Sequence, residues 1–369
     1  MTLKRKTREI LAKLPFGVGE DYLLPLMGFL LYLRPLRDWR RKRAAKLEAE
    51  IIRNAIKQKV REAALVYDNL VSPPTYGDLL YVLMVGRFFM ASGLKLRFYI
   101  ITSEYREDWA PLVDGNRVDW FLAEQMMLAR RVLDIGEPII LSVSWEDYRK
   151  ASNDLEKSSY VLFSERVKAR AACYQDCCNL LSFLLHSSDR EVANRTLLSS
   201  RPLEETWSYT LVSQAQGYIA WPCRYNIAWG VNRNLANAEF VQIGKLLRRE
   251  FPAKTILILS DEAGCRYYKR LAAEFGFDFL FSKDMSPNFV GDLELVLNSD
   301  LLVQCRGGGI GSVAVLSDTP YLMIVPLVHE TMWSRKKLCS WMTDRQILIN
   351  ASDLPVNRHL IHYLHRVAS

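Results

Sequence analysis

Histidine is scarce in this chain, with five in 369 residues, and the seven cysteines form no CxxC pair and no regular disulfide framework. Cys173, Cys177 and Cys178 fall on one predicted helix, with no histidine at a familiar ligand spacing. They read as reduced thiols of a cytosolic protein and not as a zinc site. The lone His186 falls at a predicted helix end, where it needs no chemistry. No apolar run reaches the roughly 20 residues a membrane-spanning helix requires, and no secretory signal with a credible cleavage site is present. No aromatic-and-basic pattern of a known nucleic-acid module occurs, so nucleic acid is not an expected partner.

Half of the residues are apolar and 24% are charged, a globular composition able to bury real cores. The length suits two domains of ordinary size. The formal net charge is +8, and much of it falls in residues 1–62, in Lys4 to Lys6, Arg34, Arg37 and Arg40 to Arg43. The apolar run Leu23 to Leu33 is too short to span a bilayer and is interrupted by Pro25 and Gly28. A short apolar run beside a basic cluster suits a helix lying at an anionic lipid surface. A long amphipathic helix is expected from about Asp38 to Ala64, with Leu47, Ile51, Ile52, Ala55, Ile56 and Val60 on one side. The alternative is a helical hairpin packed on the protein's own core.

From residue 63 the pattern becomes α/β. A strand over Ala64 to Asp68, a helix over Leu79 to Ala91 and a strand over Leu96 to Thr102 make a βαβ unit, which implies a parallel sheet. The intervening loop ends at Tyr76, Gly77 and Asp78, on the carboxyl edge where open α/β sheets bind ligands. Asp78 reads equally as a general base or as a plain helix N-cap. Helix is expected over Glu124 to Asp134, strand over Pro138 to Val143, and mostly helix over Glu146 to Leu185. This first Rossmann-like domain is assigned to residues 63–215.

A second α/β series occupies residues 216–345. Strands are expected at Gly217 to Arg224, Thr255 to Ser260, Phe279 to Ser282, Leu301 to Gln304 and Tyr321 to Val325. Polar residues recur at the strand ends: Arg224, Asp261, Asp284 and Arg306. The strand over Leu301 to Gln304 runs into Arg306, Gly307, Gly308, Gly309, Ile310, Gly311 and Ser312, and a helix is expected from Gly311 or Ser312. Glycine lets a backbone approach a ligand, and free N–H groups with the dipole of a helix start favour an anion. The expected ligand is a diphosphate or a phosphate-bearing sugar. A tight turn with no ligand would look the same. Residues 346–369 are assigned to a C-terminal helix that packs back on the first domain.

Taken together, the strand ends at Ser260 and Asp261 and at Ser282 to Asp284, then Gly291, Asp292, Asn298 to Asp300, Gly307 to Ser312, Thr319 and Pro320, resemble the donor domain of GT-B glycosyltransferases. The resemblance covers roughly residues 216 to 330. It is to bacterial heptosyltransferases in the glycine turn, helix and post-proline strand. It is also to fucosyltransferases of the nodulation and protein O-fucosylation type, whose donor-domain arginine Arg224 would match. Those enzymes carry a histidine shortly before that arginine, whereas Trp221, Pro222 and Cys223 stand here. The paired glutamates of many retaining enzymes and a DxD metal motif are not recognisable.

The resemblance implies two Rossmann-like domains facing across a cleft. It implies transfer of a sugar from a nucleotide-sugar to a glycan or lipid-linked acceptor, in bacterial surface polysaccharide (lipopolysaccharide) synthesis, with no metal and no other cofactor. Arg224, Arg306 and the N–H groups of Gly307 to Ser312 would hold the leaving diphosphate. Asp261 or Asp284 would hold ribose hydroxyls, or either caps a helix. His329 would touch the donor, or lie on the surface. Tyr76, Gly77 and Asp78 would face the acceptor. The expected location is cytoplasmic, peripheral on the inner face of the cytoplasmic membrane. Competing readings are a sugar-nucleotide epimerase of the same architecture, for which five histidines leave few candidates, and a non-catalytic membrane-attached scaffold.

Overall fold

The computed structural model describes residues 34–58, 62–68, 76–102, 117–134, 139–142, 160–161, 174–186, 188–201, 217–225, 234–286, 288–305, 309–325 and 346–350. The first unit begins with helix α1 (Arg34–Lys57). It continues through β1 (Glu62–Asp68), α2 (Tyr76–Ala91), β2 (Lys95–Thr102), α3 (Arg117–Leu133), β3 (Ile139–Ser142), β4 (Tyr160–Val161), α4 (Tyr174–His186) and α5 (Arg190–Thr196). Its sheet has the order β3-β2-β1-β4, and every pairing in it is parallel.

The second unit runs β5 (Tyr218–Pro222), α6 (Asn237–Glu250), β6 (Thr255–Leu259), α7 (Glu262–Glu274), β7 (Leu280–Phe281), a 3-10 turn (Ser282–Asp284), α8 (Phe289–Leu297) and β8 (Leu301–Cys305). A second 3-10 turn (Ile310–Ser312), α9 (Val313–Leu316), β9 (Tyr321–Val325) and β10 (Gln346–Asn350) follow. The sheet order is β10-β9-β8-β5-β6-β7, again with parallel pairings. Strands covered on both faces read as unbroken apolar runs, and Ile256 to Leu259 are buried without exception. Side chains alternate faces along a strand. In β5, Tyr218 and Ala220 join one core while Ile219 and Trp221 join the other.

The first core is shared by both units. Leu79, Leu80 and Leu83 of α2 lie in one cluster with Leu293 and Val296 of α8 and with Val313 and Leu316 of α9. The second core is aromatic: Trp221 stacks on Phe240 at 5.0 Å, and Phe240 stacks on Tyr268 at 5.0 Å. It fastens β5, the strand that leads to Arg224, to helices α6 and α7.

Four sequence expectations are corrected. Helix α1 ends at Lys57, before Val60 and Ala64. It buries Ala45, Ala49, Ile52 and Ala55 and leaves Leu47 and Ile51 52% and 55% exposed. Small side chains let α1 lie close against Leu180, Leu181 and Leu184 of α4, so Ala45 and Ala49 join Ile52 and Ala55 on the inward face while Leu47 and Ile51 turn outward. Tyr160 and Val161, expected in a helix, pair with β1 at the sheet edge. Gln346 to Asn350, assigned to the C-terminal helix, pair in parallel with Tyr321 to Val325; three consecutive aliphatic residues, Ile347 to Ile349, suit a strand. The helix after the glycine run is only Val313–Leu316, because the chain then turns to pair Ser317 with Leu198. The segments 1–33 and 351–369, including the expected apolar run and final helix, lie outside the described residues.

Candidate functional site

The two units meet where the start of α2 faces the glycine run. A Cβ built on Gly309 would stand 3.1 Å from the backbone nitrogen of Gly77 and 3.6 Å from Cε2 of Phe289. Gly309 has right-handed helical torsions, φ −51 and ψ −46, so any residue could adopt its backbone. Close approach of α2 is what requires glycine there. Tyr76 stacks its ring on Phe289 with centroids 4.5 Å apart. Of Tyr76 and Gly77, read from the sequence as acceptor-side residues, Gly77 is thus brought against Gly309 and Tyr76 against Phe289 of the second unit.

Gly311 is explained by the chain's own packing. A Cβ there would stand 2.3 Å from Nε2 of Gln304, a buried side chain at the end of β8. The helix that follows is too short for its dipole to matter much, since the dipole grows with the number of aligned peptides. The longer helix pointing its start at this place is α2. Its first-turn N–H groups lack intrahelical partners by construction, and its start lies against Gly309. Arg306, Gly307, Gly308 and His329 lie outside the described residues, as do the side chains of Asp78 and Ser312.

Arg224 sits just past β5. Its carbonyl accepts from the Tyr268 hydroxyl at 2.9 Å and from the Leu235 amide at 3.2 Å. The Ser260 hydroxyl donates to the preceding carbonyl of Cys223 at 2.7 Å. The backbone at Arg224 is therefore held from three sides. β5 lies beside β8 with Ile219 opposite Leu301 and Ala220 opposite Leu302. Counting on, Cys223 falls beside Cys305 at the carboxyl ends of the two strands. Burial pushes the Cys223 thiol well above its ordinary range, and the Cys305 and Cys265 thiols add to this. All three cysteines are buried in the sheet core.

Two other strand-end acids serve local structure. Asp261 accepts from the Gly264 amide at 2.7 Å and so caps α7. Asp284 pairs with Lys269 at 2.9 Å, both half exposed or more. Among the described residues no cluster of three or more histidine, cysteine, aspartate or glutamate side chains is placed to hold a metal ion.

Several residues at the junction carry no signal in the linear sequence. Glu124 of α3 accepts from the Phe289 amide at 3.0 Å across 165 positions. Burial pushes its carboxyl up to about 7; the Phe289 amide and Lys283 pull it back, and Asp292 pushes it further. Lys283 holds Asp292 at 2.7 Å, yet burial still raises Asp292 to about 6. Arg131 of α3 forms a buried ion pair with Glu294 of α8 and also donates to the Ser199 carbonyl at 2.7 Å. Glu124 and Phe289, like Arg131 and Glu294, lie on different units, so no local spacing reveals these two contacts.

No protein-family model matches the chain, and no curated protein matches it in sequence. Similar solved structures include ADP-heptose LPS heptosyltransferase II of E. coli. It is 11% identical, with a TM-score of 0.49, over 83% of this chain and 98% of that one. They also include a glycosyl transferase family 9 protein of Veillonella parvula, 8% identical, with a TM-score of 0.45, over 84% of this chain and 97% of that one. The first belongs to a family that the sequence resembles. At such identities the function has to be argued from this chain's own residues.

Proposed function

We propose that the chain is a glycosyltransferase of the GT-B kind. It moves a sugar from a nucleotide-sugar donor to a glycan or lipid-linked acceptor, in bacterial surface polysaccharide synthesis and without a metal ion. The observation that carries this reading is the meeting of Gly77 with Gly309. It sets the N-terminus of α2 against Gly309, and β8, the strand before the glycine run, lies beside β5, the strand that leads to Arg224. A leaving diphosphate is doubly charged, and fixed N–H groups and guanidinium groups aimed at developing charge take the place of a metal. In this reading Arg224 and Arg306 hold the diphosphate with the N–H groups of Gly307 and Gly308. Asp78 removes the acceptor proton. The second oxygen of Asp261, or Asp284 after release from Lys269, holds the ribose, and His329 contacts the donor.

Residues 1–62 would carry the protein to an anionic membrane surface on the cytoplasmic side. Among the described residues no helix is long and apolar enough to cross a membrane. The exposed Leu47 and Ile51 of α1 give this segment an apolar contact beside the exposed Lys42, Arg43 and Lys46.

The test is thermal unfolding with CMP-, GDP-, UDP- and ADP-sugars, with and without EDTA. Stabilisation by one donor class that EDTA leaves unchanged supports the reading. No shift with any donor, while vesicles still bind the chain, favours a membrane-attached scaffold.

A further inference from the structure

Glu124 is 1% exposed on α3 of the first unit, and its Oε1 accepts from the first amide of α8, Phe289, at 3.0 Å. A carboxyl from one unit therefore caps a helix of the other. Asn288 caps the same helix from within the second unit, accepting from Gly291 at 2.9 Å. The remaining oxygen of Glu124, Oε2, is buried with no hydrogen-bond partner among the described residues, and so is Oδ1 of Asp292. A buried carboxylate with an oxygen left unpaired is costly when charged and far less so when protonated. Phe289 in turn stacks on Tyr76 and lies against Gly309. Glu124 is thus one residue removed from the contact of Gly77 with Gly309.

We propose that Glu124 is a positioning residue. As a protonated acid it fastens α8 to α3 and so holds Gly309 against Gly77; as it ionises, that contact opens more readily. The groups facing it from the second unit are Lys283 and Asp292. Glu294 also lies on α8, but it is committed to Arg131, about two turns along α3 from Glu124, and that pair stays closed as Glu124 titrates. From α2, Arg87 is committed to the carbonyls of Val132, Arg195, Thr196 and Leu197 and offers Glu124 no counter-charge.

The direction follows from linkage. With the units fastened, burial holds the Glu124 carboxyl at about 7, against an ordinary 4.5. Fastening therefore takes up a proton in the interval between these values. Opening is favoured progressively as pH rises through that interval, by on the order of 100-fold in total, and levels off above it. The inference does not require a sugar donor and stands apart from the assignment of the reaction.

Hydrogen exchange of the full chain, followed by mass spectrometry from pH 5 to 8.5 and corrected for intrinsic exchange, reads the opening directly. The peptide covering residues 286–293 reports the first turn of α8. The expected result is that its protection in the unaltered chain falls up to about tenfold per pH unit and then levels near pH 7. Glu124→Gln, which keeps an acceptor and cannot ionise, should hold the low-pH protection throughout. Glu124→Ala should lose it at every pH. Protection independent of pH in the unaltered chain overturns the proposal without recourse to any variant, and so does a Glu124→Gln chain that follows the same fall. Matching thermal unfolding of the unaltered and Glu124→Gln chains at pH 5 separates opening of this contact from global loss of fold.

Discussion

The backbone nitrogen of Gly77 stands 3.1 Å from the place a Cβ would occupy on Gly309. The neighbour is backbone at the start of a sixteen-residue helix, so it cannot rotate aside. Gly309→Ala should therefore cost about 1–3 kcal/mol of stability through overpacking and should weaken any ligand seated between the units. Gly311→Ala meets a side chain instead, Gln304 at 2.3 Å. It should destabilise by a similar amount while leaving ligand affinity per folded molecule unchanged. Denaturant unfolding beside calorimetric titration separates the two effects.

The buried pair between Arg131 and Glu294 joins α3 to α8. Removing one partner leaves a buried charge without its counter-ion. Arg131→Met is expected to cost about 3–5 kcal/mol, and adding Glu294→Leu should recover most of that loss. A double-mutant cycle from urea midpoints checks it; additive losses would count against a direct pair.

Two carboxyls are raised by burial, Glu124 from 4.5 to about 7 and Asp292 from 3.8 to about 6. An acid with a raised folded-state value binds its proton more tightly folded than unfolded. Its favourable contribution is complete below the unfolded value and is lost as pH rises through the folded one. Unfolding free energy is therefore expected to decline between about pH 4 and pH 7, by on the order of 6 kcal/mol from the two groups together, and Glu124→Gln should flatten the upper part of that decline. Urea titrations across this range measure it.

Cys223, Cys265 and Cys305 are buried free thiols. Burial raises both Cys223 and Cys265 above the usual thiol range, and the thiolate is the reactive form. Alkylation in the native state should spare all three, and mild denaturant should expose them together. Rapid native modification of Cys223 or Cys305 would mean that the sheet edge is open.

Much of the second unit was legible because its strands are short apolar runs ended by polar residues. Thr255 to Leu259 and Leu301 to Cys305 are such runs, closed by Ser260 and Asp261 and by Arg306 and its glycines. Helix α6 showed its period in Phe240, Ile243, Leu246 and Leu247, all buried. The face of α1 was half legible: Ile52 and Ala55 are buried as part of the expected face, but Ala45 and Ala49 and not Leu47 and Ile51 complete it, because small side chains let helices approach closely. β4 was hidden because two residues carry no period. The junction was half legible. Tyr76 and Gly77 followed from their place at a strand end, but Glu124, Arg131 and Glu294 are charged residues on amphipathic helices. Without the fold they read as solvated faces, and their partners lie more than a hundred positions away.

The most direct measurement is calorimetric titration of ADP, GDP, UDP and CDP into the unaltered chain and into Arg224→Ala and Arg224→Lys, in EDTA. One diphosphate should bind the unaltered chain. Its affinity should fall at least tenfold in Arg224→Ala, the loss of about one charge-assisted contact, and fall less in Arg224→Lys. Equal affinity in the unaltered chain and Arg224→Ala, or no binding of any diphosphate to a folded unaltered chain, would contradict the account.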